Sequence, residues 1–172
     1  MQVNPLVFDS TPLIYLTKAG LCNIFEDLQV EKCTSPLVKK EVVDEGKIRG
    51  IPDAFVLDRL FVKGIFKVCE PADKKFLGEL LKTHGLQVAD AEVLALANEC
   101  DGIAVIDDEV ARKTAKVYGI KYAGSFYVLA RAICEGIVSK AQAKQAIRDM
   151  VSLGWRCSVE SYVKMMEAIE KI

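Results

Sequence analysis

Short apolar runs free of charge alternate with longer amphipathic stretches along the whole chain, and this alternation restricts the fold more than any other feature. Leu6 to Phe8 follow Pro5 and run into Asp9-Ser10-Thr11-Pro12, which supplies N-cap residues and a proline suited to a first helical turn. A second candidate strand, around Leu28 to Cys33, is followed by Thr34-Ser35-Pro36 and a helix through Val38, Glu41 and Val42. A short helix at Phe55 to Leu60 and a strand at Ile65 to Cys69 come next, then a helix face at Phe76, Leu77, Leu80 and Leu81. The segment DAEVLALANE starts a helix at Asp90, Asp101-Gly102 closes it, and Ile103 to Ile106 forms a strand ending in Asp107-Asp108. A helix through Val110, Thr114 and Val117 stops at Gly119, and a short strand lies near Lys121-Tyr122. Helices are then expected at Ser125 to Cys134, Ala141 to Leu153 with Ser139 as N-cap, and Val159 to Ile169 with Ser158 as N-cap. Strands without charged interiors, each followed by a helix, imply an α/β fold of three layers, α/β/α, with a central parallel sheet covered on both faces.

A chain of 172 residues is the size of one ordinary domain, so residues 1–172 read as one unit with the helices at about 139–171 packed onto it. Its hydrophobic fraction of 51% against 27% charged excludes a disordered class. No apolar run is long enough to span a bilayer, and MQVNPLVFD has neither a basic leader nor a long apolar stretch, so a cytoplasmic protein is expected. The six cysteines stand singly, without a CxxC spacing, and read as small buried hydrophobes. A formal net charge of -1 promises no strong field for polyanions.

The acids carry the chemistry. Asp9 and Asp107 each end an apolar strand just before a helix, and in open parallel sheets ligands bind beyond the carboxyl ends where strand order reverses. If those strands are neighbours, their acids converge, and Asp90 and Glu41 can join them. Each acid alone has an ordinary reading: Asp9 and Asp90 as N-caps, Glu41 as a solvated helix residue, Asp107-Asp108 as a helix start. Together they repel and raise one another's pKa unless a cation compensates. Oxygen-only ligands favour Mg²⁺ or Mn²⁺, and the natural chemistry is phosphodiester hydrolysis with ions activating water and stabilising phosphate charge. The only histidine, His84, reads as a surface or C-cap residue.

In order along nearly the whole chain, VFDST, PLVKKEV, DAEVLALA and AVIDDEVARKTA resemble the motifs of PIN-domain proteins, in the VapC-like branch of archaea and bacteria. The resemblance implies the same parallel-sheet fold and a metal-dependent ribonuclease. By it, Asp9 is the first-strand ligand, Glu41 the second acid and Asp90 the acid of the third motif. The fourth acid is Asp107 or Asp108, with Asp108 grouped with Asp9 and Asp90 in the metal set. Ser10 and Thr11 match the small hydroxyl residues after the first acid, and Ser125 in AGSFYVL matches a Gly-Ser turn of this branch. Arg112, Lys113 and Lys40 are candidate RNA phosphate contacts, each with the alternative of a solvated cation in an i,i+4 pair; Lys39 shares that ambiguity. The resemblance further implies RNA as substrate, makes a homodimer the expected assembly, and admits a small antitoxin protein as partner.

Three other readings compete with the nuclease. A phosphorylation receiver needs its paired acids after the first strand, whereas Asp107-Asp108 come late. A haloacid-dehalogenase-like phosphatase needs an aspartate two positions after Asp9, where Thr11 stands. A catalytically silent PIN-like scaffold that binds RNA or protein is the serious alternative. The charge balance does not exclude RNA, because the chain without the four acids carries a net positive charge.

Overall fold

Five short strands form one all-parallel sheet in the computed structural model, which describes residues 4–172. They are β1 (Leu6–Phe8), β2 (Lys32–Thr34), β3 (Lys67–Val68), β4 (Ile103–Val105) and β5 (Tyr122–Ala123), in the order β3-β2-β1-β4-β5. The chain builds outward from β1 to β3, then returns to lay β4 and β5 on the other side. Strand order thus reverses between β1 and β4, where Phe8 registers with Val105 and the Asp9 amide donates to the Val105 carbonyl at 3.1 Å. This is the place where an open α/β sheet presents a binding crevice.

Leu6, Val7 and Phe8 are wholly buried because the central strand is covered on both faces. Phe8 meets Phe25 and Phe66 edge-on, with ring centroids 5.7 and 5.5 Å apart. The outer strand β3 is exposed, and Lys67 on it pairs with Glu31 at 2.7 Å. Charge on an edge strand of this kind discourages further pairing.

The strand expected at Leu28 to Cys33 begins later, at Lys32. Asn23–Asp27 forms a helix, α2, after α1 (Ser10–Lys18), and Leu28 is its buried C-cap. Leu28 is apolar because it closes a helix onto the core, a role that periodicity cannot separate from a strand start. The strand expected at Ile65 to Cys69 contracts in the same way: Phe66 packs in the core before β3 begins.

The helix expected through Glu41 is interrupted. Ser35 caps α3 (Pro36–Lys39) by accepting from the Val38 amide at 3.2 Å, a π-helical segment covers Lys40–Glu45, and α4 (Gly46–Ile48) follows. Such wide turns re-aim side chains and are frequent at functional sites. Gly46 lets α4 approach α5 (Pro52–Val62): a Cβ there would stand 2.6 Å from the Ala54 methyl.

After α6 (Lys74–Leu80), α7 (Val88–Glu99) runs beside β1 and β4 with Ala91, Val93, Leu94, Ala95, Leu96 and Ala97 all buried. Gly119, at φ +70°, closes α8 (Glu109–Tyr118) in a left-handed C-cap. Then come α9 (Ser125–Cys134), α10 (Lys140–Ser152) with a Ser139–Gln142 capping box, and α11 (Val159–Lys171) capped by Ser158. Helix α10 packs on α1 and α9, and α11 on α10. On α11, Met165 and Ile169 face the core while Val163 is exposed. Only Cys33 is buried as a cysteine reading by composition expects; Cys22, Cys69 and Cys157 are half-buried and Cys100 and Cys134 exposed. Among the described residues, no helix is long and apolar enough to cross a membrane.

Candidate active site

Asp9 is the first residue beyond β1 and lies at the point of strand reversal, 6% exposed. It occupies the N-cap position of α1 but makes no side-chain capping bond. Burial, and next the charge of Asp90, push its carboxyl up to about 7; Glu41 adds to the rise, and the amides of Ser10 and Thr11 oppose it.

Asp90 reaches the same crevice from α7. It is not the N-cap there: Gln87 holds that position, and Asp90 sits in the first turn of the helix, where the Gln87 amide works against the rise of its carboxyl. Its carboxyl is raised to about 6, first by burial, then by Asp108, with Glu41 contributing. Glu41, at the start of the π-helical segment, is exposed, and its Oε2 accepts from Ser10 Oγ at 2.7 Å. Asp9, Glu41, Asp90 and Asp108 therefore lie within electrostatic reach as one cluster at the carboxyl ends of β1 and β4.

The adjacent acids after β4 have different surroundings. Asp108 caps α8 through Oδ1, which accepts from the Ala111 amide at 2.9 Å; its Oδ2 has no hydrogen bond among the described residues. Asp107 points the other way, with its side chain 8% exposed. Its Oδ1 accepts from the Ser125 amide at 2.9 Å and from Arg112 Nη2 at 3.3 Å, and its Oδ2 accepts from Ser125 Oγ at 2.5 Å and Trp155 Nε1 at 3.0 Å. Four donors occupy the four lone-pair sites of that carboxylate. Gly124 makes the arrangement fit, since a Cβ there would stand 2.7 Å from Asp107 Oδ1 and would meet the Arg112 guanidinium. Asp107 thus ties β4, α8, α9 and the α10–α11 connection together, while Asp108 belongs to the acidic cluster.

Ser125, matched in sequence to the Gly-Ser turn, is the first residue of α9 and spends its amide and hydroxyl on Asp107. Arg112 is likewise committed, its Nε donating to the Ile106 carbonyl at 2.9 Å. Lys113 pairs with Glu109 at 2.6 Å on the exposed face of α8. Lys40 is exposed beside Glu41, and Lys39 Nζ lies 5.7 Å from the centre of the Phe61 ring. His84 is exposed in the turn after α6, in a hollow with Val110, Lys113 and Tyr118. Trp155 carried no sequence signal beyond being the sole tryptophan: its partner Asp107 is 48 residues away. Tyr15 and Arg156 were also missed; with Thr11, Asp108 and Trp155 they line a cavity of about 580 Å³.

The donor set of Asp9, Glu41, Asp90 and Asp108 is of the kind that suits a hard divalent cation, which would offset both the burial and the neighbouring negative charge that raise Asp9 and Asp90. Among the described residues, no three His, Cys, Asp or Glu side chains already form a metal-holding group, so the acids make an open crevice rather than a closed cage.

No curated protein matches the sequence. A family model described as a PIN domain matches residues 5–171. PIN domains are typically nucleases and usually use divalent metals. With a match that spans nearly its whole length, the chain belongs to the PIN-domain family.

Proposed function

We propose that the protein is a metal-dependent endoribonuclease that hydrolyses RNA phosphodiester bonds, with Asp9, Asp90 and Asp108 holding Mg²⁺ or Mn²⁺ and Glu41 completing the site. The observation that carries this reading is the gathering of buried Asp9 and Asp90 with Glu41 and Asp108 at the strand-order reversal, where burial first and neighbouring carboxylates next raise the two aspartates, in a chain of the PIN-domain family. The ion would activate water and neutralise charge on the phosphate in flight. Ser10 holds Glu41 toward the crevice, and Asp107 fixes the β4–α8 turn from which Asp108 projects. Protonation of Asp9 and Asp90 competes with ion binding as the pH falls below about 7 and about 6. Lys40, exposed next to Glu41, is the cation best placed in this reading to meet RNA phosphate. The role of toxin, with a small antitoxin as partner, and the homodimer rest on the family resemblance and belong to the same proposal.

One observation favours a silent scaffold instead: the acids form no preformed metal-holding group. Incubation of structured RNAs with Mg²⁺ or Mn²⁺ separates the two readings. Discrete cuts that vanish with chelator and in Asp9→Asn support the nuclease; equal cutting by both proteins, or none by either, removes it.

A further inference from the structure

Two cavities flank Trp155. The first, which includes Asp108, Tyr15 and Arg156, adjoins the acidic cluster. The second, of about 500 Å³, is walled by Phe126, Tyr127, Trp155 and Met165, with Arg112 and Lys164 among its lining residues. Asp107 and Trp155 line both. The indole is 7% exposed and its N–H is held by Asp107, so it is a fixed partition between the two spaces.

The chemistry of the second cavity is specific. Aromatic and thioether walls suit a flat π-system, while the two cations of the lining are already paired, Arg112 with Asp107 and Lys164 with Glu160, so an attached negative charge must be met elsewhere. Its volume lies within the range of small-molecule sites, about 300–1,000 Å³. Arg156 is exposed on the Asp108 side of the partition and makes no salt bridge among the described residues. An aromatic slot next to a free cation and an acidic crevice matches one ligand class, a nucleotide within a single strand, whose base can leave its stack and whose phosphates continue past it.

We propose that the cavity behind Trp155 receives the base of a nucleotide neighbouring the phosphate bound at the acidic crevice, with Arg156 contacting the backbone between them. The proposal rests on the ribonuclease reading and deepens it, because it makes the α10–α11 connection part of the substrate site. Since Asp107 accepts from the indole N–H and Ser125 in turn holds Asp107, the slot is formed before RNA arrives, and little ordering cost attaches to filling it.

Trp155 is the chain's sole tryptophan, so its fluorescence reports on the two cavities it separates, and a substitution at Ala168, which lines the second cavity and not the first, tells them apart. Metal-free full-length protein is titrated with the four nucleoside 5′-monophosphates, with inorganic phosphate and free nucleosides as comparison probes. Nucleotides are expected to change the emission saturably, nucleosides to do so more weakly and inorganic phosphate not at all. Ala168→Phe, which fills the cavity from α11, is expected to weaken the response about tenfold, the low end for loss of one stacked base. Arg156→Ala, an exposed change that leaves the fold intact, is expected to weaken nucleotide but not nucleoside binding and to raise KM for RNA cleavage with kcat retained. Unchanged emission at millimolar nucleotide, an equal response to inorganic phosphate, or indifference to both substitutions overturns the inference while leaving metal-dependent cleavage standing. A nucleotide response in a protein that cuts no RNA supports the cavity and contradicts the nuclease reading.

Discussion

Ser10 Oγ donates to Glu41 Oε2 at 2.7 Å, so the first residue of α1 holds the acid of the π-helical segment at the mouth of the crevice. Ser10 is buried and Glu41 exposed, which means that removing the hydroxyl frees Glu41 into water rather than burying it unpaired. Ser10→Ala is therefore expected to cost less than about 1 kcal/mol of stability. Because partners that orient ligands affect the ion more than the fold, Mn²⁺ affinity should drop by about tenfold or more. Calorimetric titration of both proteins decides; equal affinities would mean that the bond does not orient Glu41.

Asp107 and Asp108 should separate cleanly on substitution. Asp107→Asn places an amide among four donors in a buried site, at an expected cost of about 2 kcal/mol or more, or a Tm lower by at least about 4–8 °C in a chain of this size. Asp108→Asn keeps an N-cap acceptor and should melt close to wild type while losing ion affinity. Melting curves and Mn²⁺ titrations that reverse this pattern would put Asp107 in the metal set.

Gly124→Ala tests the same hub from the backbone side. Its φ of -117° suits any residue, so the effect is steric: the new methyl must displace the Asp107 carboxylate or the Arg112 guanidinium. Overpacking of this kind typically costs about 1–3 kcal/mol. Urea denaturation should show that loss, and a wild-type midpoint would mean that the hub has room to spare.

The pH dependence follows from the crevice acids. Asp9 and Asp90 have folded pKa values of about 7 and about 6, above the ordinary 3.8, so between those limits the folded protein binds more protons than the unfolded chain. Their contribution to stability is full below pH about 4 and is lost as the pH rises to about 7. Metal-free protein should thus show this loss in its Tm between those values, and Asp9→Asn should remove the upper part of it and melt higher than wild type at pH 8. Mg²⁺ should raise the wild-type Tm at pH 8 and leave that of Asp9→Asn nearly unchanged. A wild-type Tm insensitive to both pH and Mg²⁺ would contradict the coupling of these acids.

β1, β4 and the acids at their ends were legible in the sequence because burial on both faces demands short uncharged runs, and Leu6–Phe8 and Ile103–Val105 have no other use, whereas β2 and β3 carry Lys32 and Lys67 and marked only the neighbourhood of a strand. The boundary before β2 was not legible, since Leu28 is as apolar at a helix end as it would be in a strand. Nor was the π-helical turn at Glu41, which spans 40–45 without proline or glycine to mark it. Asp107 and Asp108 are adjacent where a strand turns into a helix, so they point to opposite sides, and only contacts made 18 and 48 residues later, at Ser125 and Trp155, tell them apart. In the same way Cys33, Cys69 and Cys100, separate in sequence, line one cavity of about 230 Å³.

The most direct test joins ion binding to cutting in the same samples: Mn²⁺ occupancy by electron paramagnetic resonance, and cleavage of a structured RNA, for wild type and Asp9→Asn at pH 8. Saturable binding by wild type, affinity at least about tenfold weaker in the variant, and cleavage that tracks occupancy are the expected results. No bound Mn²⁺ at millimolar concentration, or equal cleavage by the two proteins, would contradict an acidic crevice that works by holding a metal ion.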